Sequence, residues 1–198
     1  MTKNAAKASA RERLLEAADE LFYGEGVQTV GIDRVIEHAG VAKASLYNTF
    51  GSKEGLVCAY LDLRFERRRD RIARTLARFR TPREKLLGVF DALGESFSEP
   101  HYNGCAFARA SSEADEHSAI RKVADNCRTW THGLFAELAT ASGYADPETL
   151  ARQLVLLYDG AANSARMDRD PSAATTARAA AATLLDAAPL LTAASSGQ

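Results

Sequence analysis

Long apolar runs, cysteine and proline are scarce in this sequence of 198 residues, and each scarcity narrows the classes of protein it can belong to. No run approaches the roughly 18 apolar residues that a membrane-spanning helix needs, so we expect no membrane partner. The segment MTKNAAKASA has no apolar stretch of the signal-peptide type, so we expect a cytoplasmic protein. The three cysteines, Cys58, Cys105 and Cys127, lack CxxC spacing, which favours reduced thiols over a disulfide framework.

The sequence also lacks the motifs of common enzyme and metal sites. It contains no GxSxG elbow, no P-loop and no paired-carboxylate motif of an acid–base catalyst. His101, His117 and His132 do not keep the i,i+4 spacing of a helical metal site. We therefore predict no catalytic residue, no metal and no cofactor.

The net charge of −1 conceals an asymmetry along the chain. Up to Arg80 there are 15 Lys and Arg residues against 11 Asp and Glu residues, and from Thr81 onward there are 10 against 15. A basic N-terminal part beside an acidic remainder is typical of a module that meets phosphates joined to one that does not.

Apolar residues recur at helical spacing along most of the chain, and the five prolines stand where helices would begin or end. No segment shows the alternation of a strand, so the predicted fold class is all-α with about nine helices. The predicted helices run from about Ser9 to Tyr23, over 32–38, from Lys43 to Thr49, from Lys53 to about Arg80, from Pro82 to about 98, over 106–114, from Ser118 to about Ala141, from Pro147 to Met167 and from Pro171 to Ala187.

Residues 29–56, TVGIDRVIEHAGVAKASLYNTFGSKEGL, form the most informative segment. Val35 and Ile36 give one short helix a buried face, and Gly40 is free to take the left-handed conformation that ends it. A second short helix buries Leu46 and turns polar side chains outward. A helix that only packs in the core does not expose so many hydrogen-bonding side chains, whereas a helix that enters the major groove of DNA needs them. The pattern predicts a helix-turn-helix.

The order AGV, LY, F and SK within this segment resembles the DNA-binding domain of the TetR/AcrR family of bacterial transcriptional regulators. These motifs are Ala39-Gly40-Val41, Leu46-Tyr47, Phe50 and Ser52-Lys53, and the resemblance extends back through residues 11–15 and 21–22. Beyond about residue 65 only length and helical character match. The resemblance implies a helix-turn-helix DNA-binding domain at 1–52 and a ligand-binding and dimerisation domain at 53–198, linked by the helix that begins at Lys53. It also implies a homodimeric repressor of a palindromic double-stranded operator, released by a small-molecule effector.

The predicted DNA interface lies on and around the second short helix. Lys43 and Asn48 have side chains that can reach base edges, guanine for lysine and adenine for asparagine. Hydroxyl and ammonium groups suit phosphates, and an alanine methyl suits thymine. All the residues predicted to bind DNA, except Thr29, stand at positions that usually contact DNA in the family. The predicted DNA-binding residues are Thr29, Lys43, Ala44, Ser45, Tyr47, Asn48, Thr49 and Lys53.

Three positions depart from the commonest family pattern. Ala42 and Gly31 stand where many members carry hydroxyl residues, and a missing cap at Ala42 costs the recognition helix about 1 kcal/mol. Asn48 stands where His or an aromatic residue is frequent. Lys43 and Asn48 together predict an operator sequence that is particular to this protein.

The second half of the chain is rich in aromatic residues, and the resemblance implies a small-molecule cavity between helices five through eight. A plain core role is the alternative for each side chain. Cys105 opens a short helix whose dipole could activate its thiol, so a redox or electrophile sensor and an inert thiol both stay open. The predicted pocket lining is Phe90, Leu93, Phe97, Phe107, Trp130 and Tyr158, with Asp159 and Asn163 as polar anchors.

The last two helices carry long rows of small residues, which permit the close approach of a four-helix interface between two copies. The alternative is that alanine simply favours helices. The predicted dimerisation residues are Leu150, Leu154, Ala161, Ala165, Ala177, Ala181 and Leu184.

An arginine-rich run from Arg64 to Arg78 is interleaved with Glu66 and Asp70, which predicts a solvated, ion-paired helix face. Two other classes of protein remain open. An all-α ligand-binding protein or enzyme with a vestigial helix-turn-helix would use the second half alone, and a structural DNA binder would use the first half alone. A two-fold symmetric operator would separate a regulator from both.

Overall fold

The computed structural model describes residues 8–191, and within that range the chain forms nine α-helices and no strand. The predicted all-α fold is confirmed. The outermost residues of the two predicted domains, 1–7 and 192–198, lie outside the described part. The helices are α1 (Ala10–Glu25), α2 (Ile32–Ala39), α3 (Lys43–Phe50), α4 (Lys53–Leu76), α5 (Pro82–Phe97), α6 (Ala106–Glu113), α7 (Ala119–Ala141), α8 (Pro147–Asp168) and α9 (Ala173–Ala187).

Reciprocal side-chain caps fix where α1 and α5 begin. The Ser9 hydroxyl accepts from the Glu12 N–H at 3.2 Å, and the Glu12 carboxylate accepts from the Ser9 N–H at 2.7 Å. Thr81 and Glu84 form the same box at α5, with Pro82 in the first turn. Each box satisfies two backbone donors that a helix start leaves unpaired, so these two boundaries follow from local sequence.

Helix α4 ends at Leu76, four residues before the predicted end at Arg80. The reason is the contact between Phe79 and α5: a Cβ added at Gly88 would lie 2.5 Å from the Phe79 ring. The chain turns back onto α5 to bury this ring against the glycine. The Arg80 N–H then donates to the Glu84 carboxylate at 3.1 Å, which joins the turn to the start of α5.

The described chain divides into two compact units. The first contains the residues up to Glu66 together with Ala106–Asn126, and the second contains Arg67–Cys105 and the residues from Cys127 onward. Helices α4 and α7 contribute to both units. The predicted domain boundary after Ser52 differs from this division because α6 and the start of α7 pack with the helix-turn-helix.

Each unit has its own apolar core. In the first, Leu14, Val35 and Leu46 are fully buried where α1, α2 and α3 meet. In the second, Phe90 of α5 and Leu154 of α8 are fully buried among the apolar faces of α5, α8 and α9. Burial of the predicted apolar stripes therefore holds the helices of each unit together.

The arginine-rich run of α4 is less solvated than predicted. The Arg64 guanidinium lies 3.4 Å from the centre of the Tyr23 ring, within the first unit. Arg71 pairs with Glu99, and Arg68 donates to two cysteine sulfurs, within the second unit. These partners lie on other helices or loops rather than one turn along α4, so the arginines tie other elements to this helix.

Candidate nucleic-acid interface

Gly40 and Arg13 define the turn between α2 and α3. Gly40 has φ 60° and ψ 43°, the left-handed conformation that glycine adopts without a Cβ penalty. The Arg13 side chain of α1 donates to the carbonyl oxygens of Ala39 and Gly40 at 3.2 and 2.9 Å. These carbonyls have no partner within α2, so the Arg13 side chain satisfies the end of α2 and ties α1 to the turn that leads into α3.

Helix α3 presents the predicted polar face to solvent. Leu46 is fully buried and Phe50 half-buried, and the Arg11 guanidinium lies 5.9 Å from the centre of the Phe50 ring. Tyr47 is 46% exposed, a large aromatic side chain outside the core. No side chain caps the helix at Ala42, as the sequence indicated. The exposed predicted residues on α3 are Lys43, Ala44, Tyr47, Asn48 and Thr49, and Ser45 is half-buried.

Lys43 is positioned by an ion pair across the two short helices. Its Nζ lies 2.9 Å from Oδ1 of Asp33, in the first turn of α2, and both side chains are largely exposed. The hydrogen bond to Asp33, and then its charge, raise the pKa of Lys43 above the usual lysine value. The ammonium group lies at the N-terminal end of α3, where recognition helices contact bases.

The junction between α3 and α4 depends on Gly55. The Ser52 hydroxyl accepts from the Gly55 N–H at 3.0 Å, and the half-buried Lys53 opens α4 beside this bond. A Cβ added at Gly55 would lie 2.1 Å from the carbonyl oxygen of Phe50, closer than packed atoms allow. Because glycine has no Cβ, α4 can start directly against the end of α3.

Replacing Gly55 with alanine is therefore expected to destabilise the first unit by about 1–3 kcal/mol, because the added methyl must push two backbone segments apart. Urea unfolding followed by circular dichroism measures this change. Gly24→Ala is the matched control, since a Cβ at Gly24 near the end of α1 meets nothing within 4 Å. We expect that control to be neutral or stabilising, because alanine favours helices over glycine. Equal urea concentrations at the unfolding midpoint for the two variants would contradict the packing described for Gly55.

Helix α6 holds the turn that carries the exposed Thr29. The Gln28 N–H donates to a carboxylate oxygen of Glu113, and the Gln28 side-chain amide donates to the Glu113 carbonyl oxygen, both at 3.0 Å. Arg109 donates to the carbonyl oxygen of Tyr23 in the last turns of α1, at 2.6 Å. Sequence reasoning missed these two α6 residues because more than eighty positions separate each from its partner. An arginine and a glutamate on one short helix carry no motif that could have found them.

The predicted ligand-pocket residues are brought together only in part. Phe90, Leu93, Phe97 and Tyr158 are buried in the second unit, and the rings of Phe90 and Tyr158 lie 6.4 Å apart. Phe107 is buried in the first unit instead, against Phe65 with ring centres 6.3 Å apart. Phe90, Phe97 and Tyr158 therefore lie together in the second unit apart from Phe107, and their role in a ligand pocket stays a prediction.

The remaining pocket residues lie nearer the surface. Trp130 is half-buried with the Arg69 guanidinium 5.8 Å from its ring centre, and Asp159 pairs with Arg128 at 2.6 Å. Asn163 is exposed and donates to the Met167 sulfur at 3.2 Å. The exposed Asn163 faces away from the core, and its role as a polar anchor stays a prediction.

Most of the predicted dimerisation residues form the inner face of the α8–α9 hairpin. Leu150, Leu154, Ala165 and Ala181 are buried within a single chain and pack α8 and α9 onto α5, so their side chains do not reach a surface where a second copy could dock. Ala161 and Ala177 also line an open groove on the outer face of the hairpin, together with Leu156, Gly160 and Ala180. The buried set is Leu150, Leu154, Ala161, Ala165, Ala177 and Ala181; Leu184 is half-buried.

Over residues 8–191, no three His, Cys, Asp or Glu side chains come together as a metal site. No helix in that range is long and apolar enough to cross a bilayer.

Comparison with known proteins places these features in a family. Residues 14–60 match the sequence model described as "Bacterial regulatory proteins, tetR family". The repressor KstR2 of Mycobacterium tuberculosis is 34% identical over 97 residues, which cover 47% of this chain and 46% of KstR2, so the match spans about half of that protein.

Two solved structures match nearly the whole chain. A TetR-family transcriptional regulator from Streptomyces coelicolor is 30% identical with a TM-score of 0.84, over 89% of this chain and 94% of that one. Sav143 from Streptomyces avermitilis, a candidate TetR-type regulator, is 35% identical with a TM-score of 0.80, over 93% of this chain and 100% of that one. Sequence, helix order and architecture agree, and the chain belongs to the TetR family of transcriptional regulators.

Proposed function

We propose that this protein is a homodimeric, ligand-responsive repressor that binds a two-fold symmetric DNA operator in the cytoplasm through α3. The observation that carries this proposal is the exposed polar face of α3, supported from behind by the buried Leu46 and by the turn that Arg13 fixes. A rigidly held helix with hydrogen-bonding side chains on its outer face fits the major groove.

The side chains of this face divide into two roles. Lys43 and Asn48 read base edges, guanine and adenine respectively, and the methyl of Ala44 contacts thymine. The hydroxyl residues and Lys53 contact phosphates, which set the register of the helix without reading sequence. The phosphate-contacting residues are Thr29, Ser45, Tyr47, Thr49 and Lys53.

The second copy docks on the outer face of the α8–α9 hairpin. Leu156 is 69% exposed and Met167 is 71% exposed, and the groove between the two helices is floored by Gly160, Ala161 and Ala177. Large apolar side chains beside a groove of small residues favour a self-complementary interface, in which the leucine of each copy enters the groove of the other. Two copies place two α3 helices on successive half-sites, as a palindrome requires.

The effector binds in the second unit, where aromatic side chains from three helices cluster. The Phe135 ring of α7 lies 5.8 Å from Phe90 and 6.1 Å from Tyr158. This lining favours a largely apolar small molecule. The effector must bind the DNA-released state more tightly than the DNA-bound state, since equal affinity for both states would shift nothing. Repression is favoured over activation because KstR2 is a repressor.

A displacement assay tests the ligand-responsive part of the proposal. The protein is bound to a fluorescent duplex of its selected operator, and a library of apolar small molecules is screened for loss of anisotropy. Any compound that releases DNA is then tested for a raised Tm of the free protein, with Phe90→Ala as the pocket variant. We expect release and stabilisation to disappear together in the variant. Release that persists in Phe90→Ala would place the effector elsewhere.

Removing the Glu113 carboxylate tests the support that α6 gives to this surface. Glu113→Ala is expected to weaken operator binding several-fold, in line with about 1 kcal/mol for one lost hydrogen bond, because the Gln28–Thr29 turn loses its acceptor. Base preference should not change, since the affected contact is to phosphate. Glu116→Ala, an exposed acidic position in the loop after α6, is the control for the lost charge. Equal affinities of the two variants would contradict the role of Glu113.

A further inference from the structure

Two of the three cysteines meet at one arginine in the second unit. Arg68 donates through Nη1 to Cys127 Sγ at 3.3 Å and through Nη2 to Cys105 Sγ at 3.6 Å. Both nitrogens belong to one planar guanidinium, so the two sulfurs occupy neighbouring positions around it. The buried Tyr158 of α8 lies beside the same group and interacts with both sulfurs electrostatically. The guanidinium therefore places a positive charge beside both sulfurs, and the thiolate is the nucleophilic form of cysteine.

The two thiols differ in how easily a solvent-borne reagent meets them. Cys105 is half-buried in the segment just before α6, whereas Cys127 is 1% exposed within α7. Burial raises the pKa of the Cys127 thiol to about 11, against the opposing charge of Arg68. Cys105 is therefore the thiol that an oxidant meets first, and Cys127 is a neighbour that can react with the product.

The segment that carries Cys105 is pinned to α8. The Tyr102 hydroxyl donates to the Ala162 carbonyl oxygen at 3.1 Å, and Arg166 Nε donates to the Asn103 side chain at 3.1 Å. Gly104 has φ +82°, and a Cβ there would lie 2.6 Å from the Arg166 side chain. A reaction that displaces Cys105 therefore also displaces the residues of α8 that contact this segment.

We propose that Cys105 and Cys127 form a peroxide-sensitive thiol pair, which closes to a disulfide and thereby changes DNA binding by the dimer. The change in DNA binding rests on the function proposed above, whereas the chemistry of the pair does not.

The oxidation takes two balanced steps. The Cys105 thiolate attacks one oxygen of hydrogen peroxide, so an S–O bond forms and the O–O bond breaks. The released hydroxide takes a proton to become water, and the sulfur is oxidised by two electrons to a sulfenic acid. The Cys127 sulfur then attacks the Cys105 sulfur, so the S–S bond forms as the S–O bond breaks. The departing hydroxide takes the Cys127 proton and leaves as a second water.

Cys58 supplies an internal control. It is also half-buried, but burial first, and then the charges of Glu54 and Asp62, raise its pKa above the usual cysteine value. Negative neighbours disfavour the thiolate that peroxide oxidation needs. The thiol of Cys58 should thus resist oxidation at peroxide concentrations that oxidise Cys105.

Peptide mass spectrometry of the intact protein tests the pair directly. After hydrogen peroxide treatment and trypsin digestion without reductant, we expect residues 86–109 to be linked to residues 123–128, with the Cys58 peptide unmodified. Cys127→Ser should stop at the sulfenic acid of Cys105, which dimedone traps. Arg68→Lys, which keeps a charge but loses the two-pronged contact, should form the link at least several-fold more slowly. Oxidation of Cys58 at the rate of Cys105, or no linked peptide, overturns the proposal.

Operator binding by the reduced and the oxidised protein distinguishes a failure of the thiol-pair proposal from a failure of the proposed function. If the proposed function holds, the reduced protein binds its operator, and the oxidised protein should bind it at least several-fold more weakly, with recovery on adding dithiothreitol. The Cys58→Ser variant should respond like the wild type, and Cys105→Ser should not respond. A linked peptide with unchanged operator affinity overturns the regulatory part, whereas absence of operator binding in the reduced protein counts against the proposed function alone.

Discussion

Leu156→Glu is expected to convert the proposed dimer to a monomer and to weaken operator binding by about 1,000-fold, down to the range of non-specific DNA binding. In a self-complementary interface each substitution occurs twice, and burying an unpaired carboxylate costs several kcal/mol per site. Leu156 is 69% exposed in a single chain, so its replacement leaves the core of the unit intact. The expected loss is therefore one of assembly and not of folding.

Sedimentation equilibrium measures this effect, with the mass of Leu156→Glu falling to the 21.4 kDa of one chain. Thr129→Glu, which adds the same charge at an exposed position of α7, is the control and should remain dimeric. A Leu156→Glu protein that stays dimeric with full operator affinity would move the interface away from the outer face of α8 and α9.

The double variant Lys43→Ala/Asn48→Ala is expected to lose sequence selectivity. Each good side-chain contact to a base edge contributes about 1–3 kcal/mol of discrimination, so losing two should lower the preference for the operator over random duplex by about 30-fold or more. Affinity for random DNA should change little, because the phosphate contacts of α3 and Lys53 remain.

Tyr47→Phe and Lys53→Ala provide the opposite pattern. Both remove proposed contacts to phosphate, so they should weaken binding to every sequence alike, and Lys53→Ala should reduce the salt slope by about one. Competition titrations at several salt concentrations distinguish the two patterns. Selectivity that survives the Lys43/Asn48 double variant would show that another element reads the bases.

The parts of this molecule that depend on local sequence were predictable. Gly40 and the two proline-led helix starts at Pro82 and Pro147 mark boundaries through their own backbone preferences, and the structure places those boundaries within a residue or two of prediction. The helix-turn-helix was predictable for the same reason, since its turn, its buried Leu46 and its polar face all lie within thirty residues.

The features that failed prediction depend on contacts between distant segments. Glu113 and Gln28 are 85 positions apart, so nothing in either neighbourhood indicates their pairing. Arg68 belongs to a run of arginines for which the sequence predicted a solvated face. Its partners in the structure are instead cysteines from two other segments.

The hairpin of α8 and α9 shows a different limit. Small residues cover both faces of these helices, so periodicity alone could not say which face turns inward. The structure buries Leu154 and exposes Leu156, two positions apart.

Selection of binding sites from random duplexes by the purified wild-type protein, followed by a gel shift of the enriched sequence, tests the central claim most directly. The account predicts enrichment of one inverted repeat whose half-sites lie about one helical turn apart or a multiple of it, bound by the dimer. Enrichment of no sequence, with only weak binding that salt abolishes, would contradict the claim that α3 reads an operator.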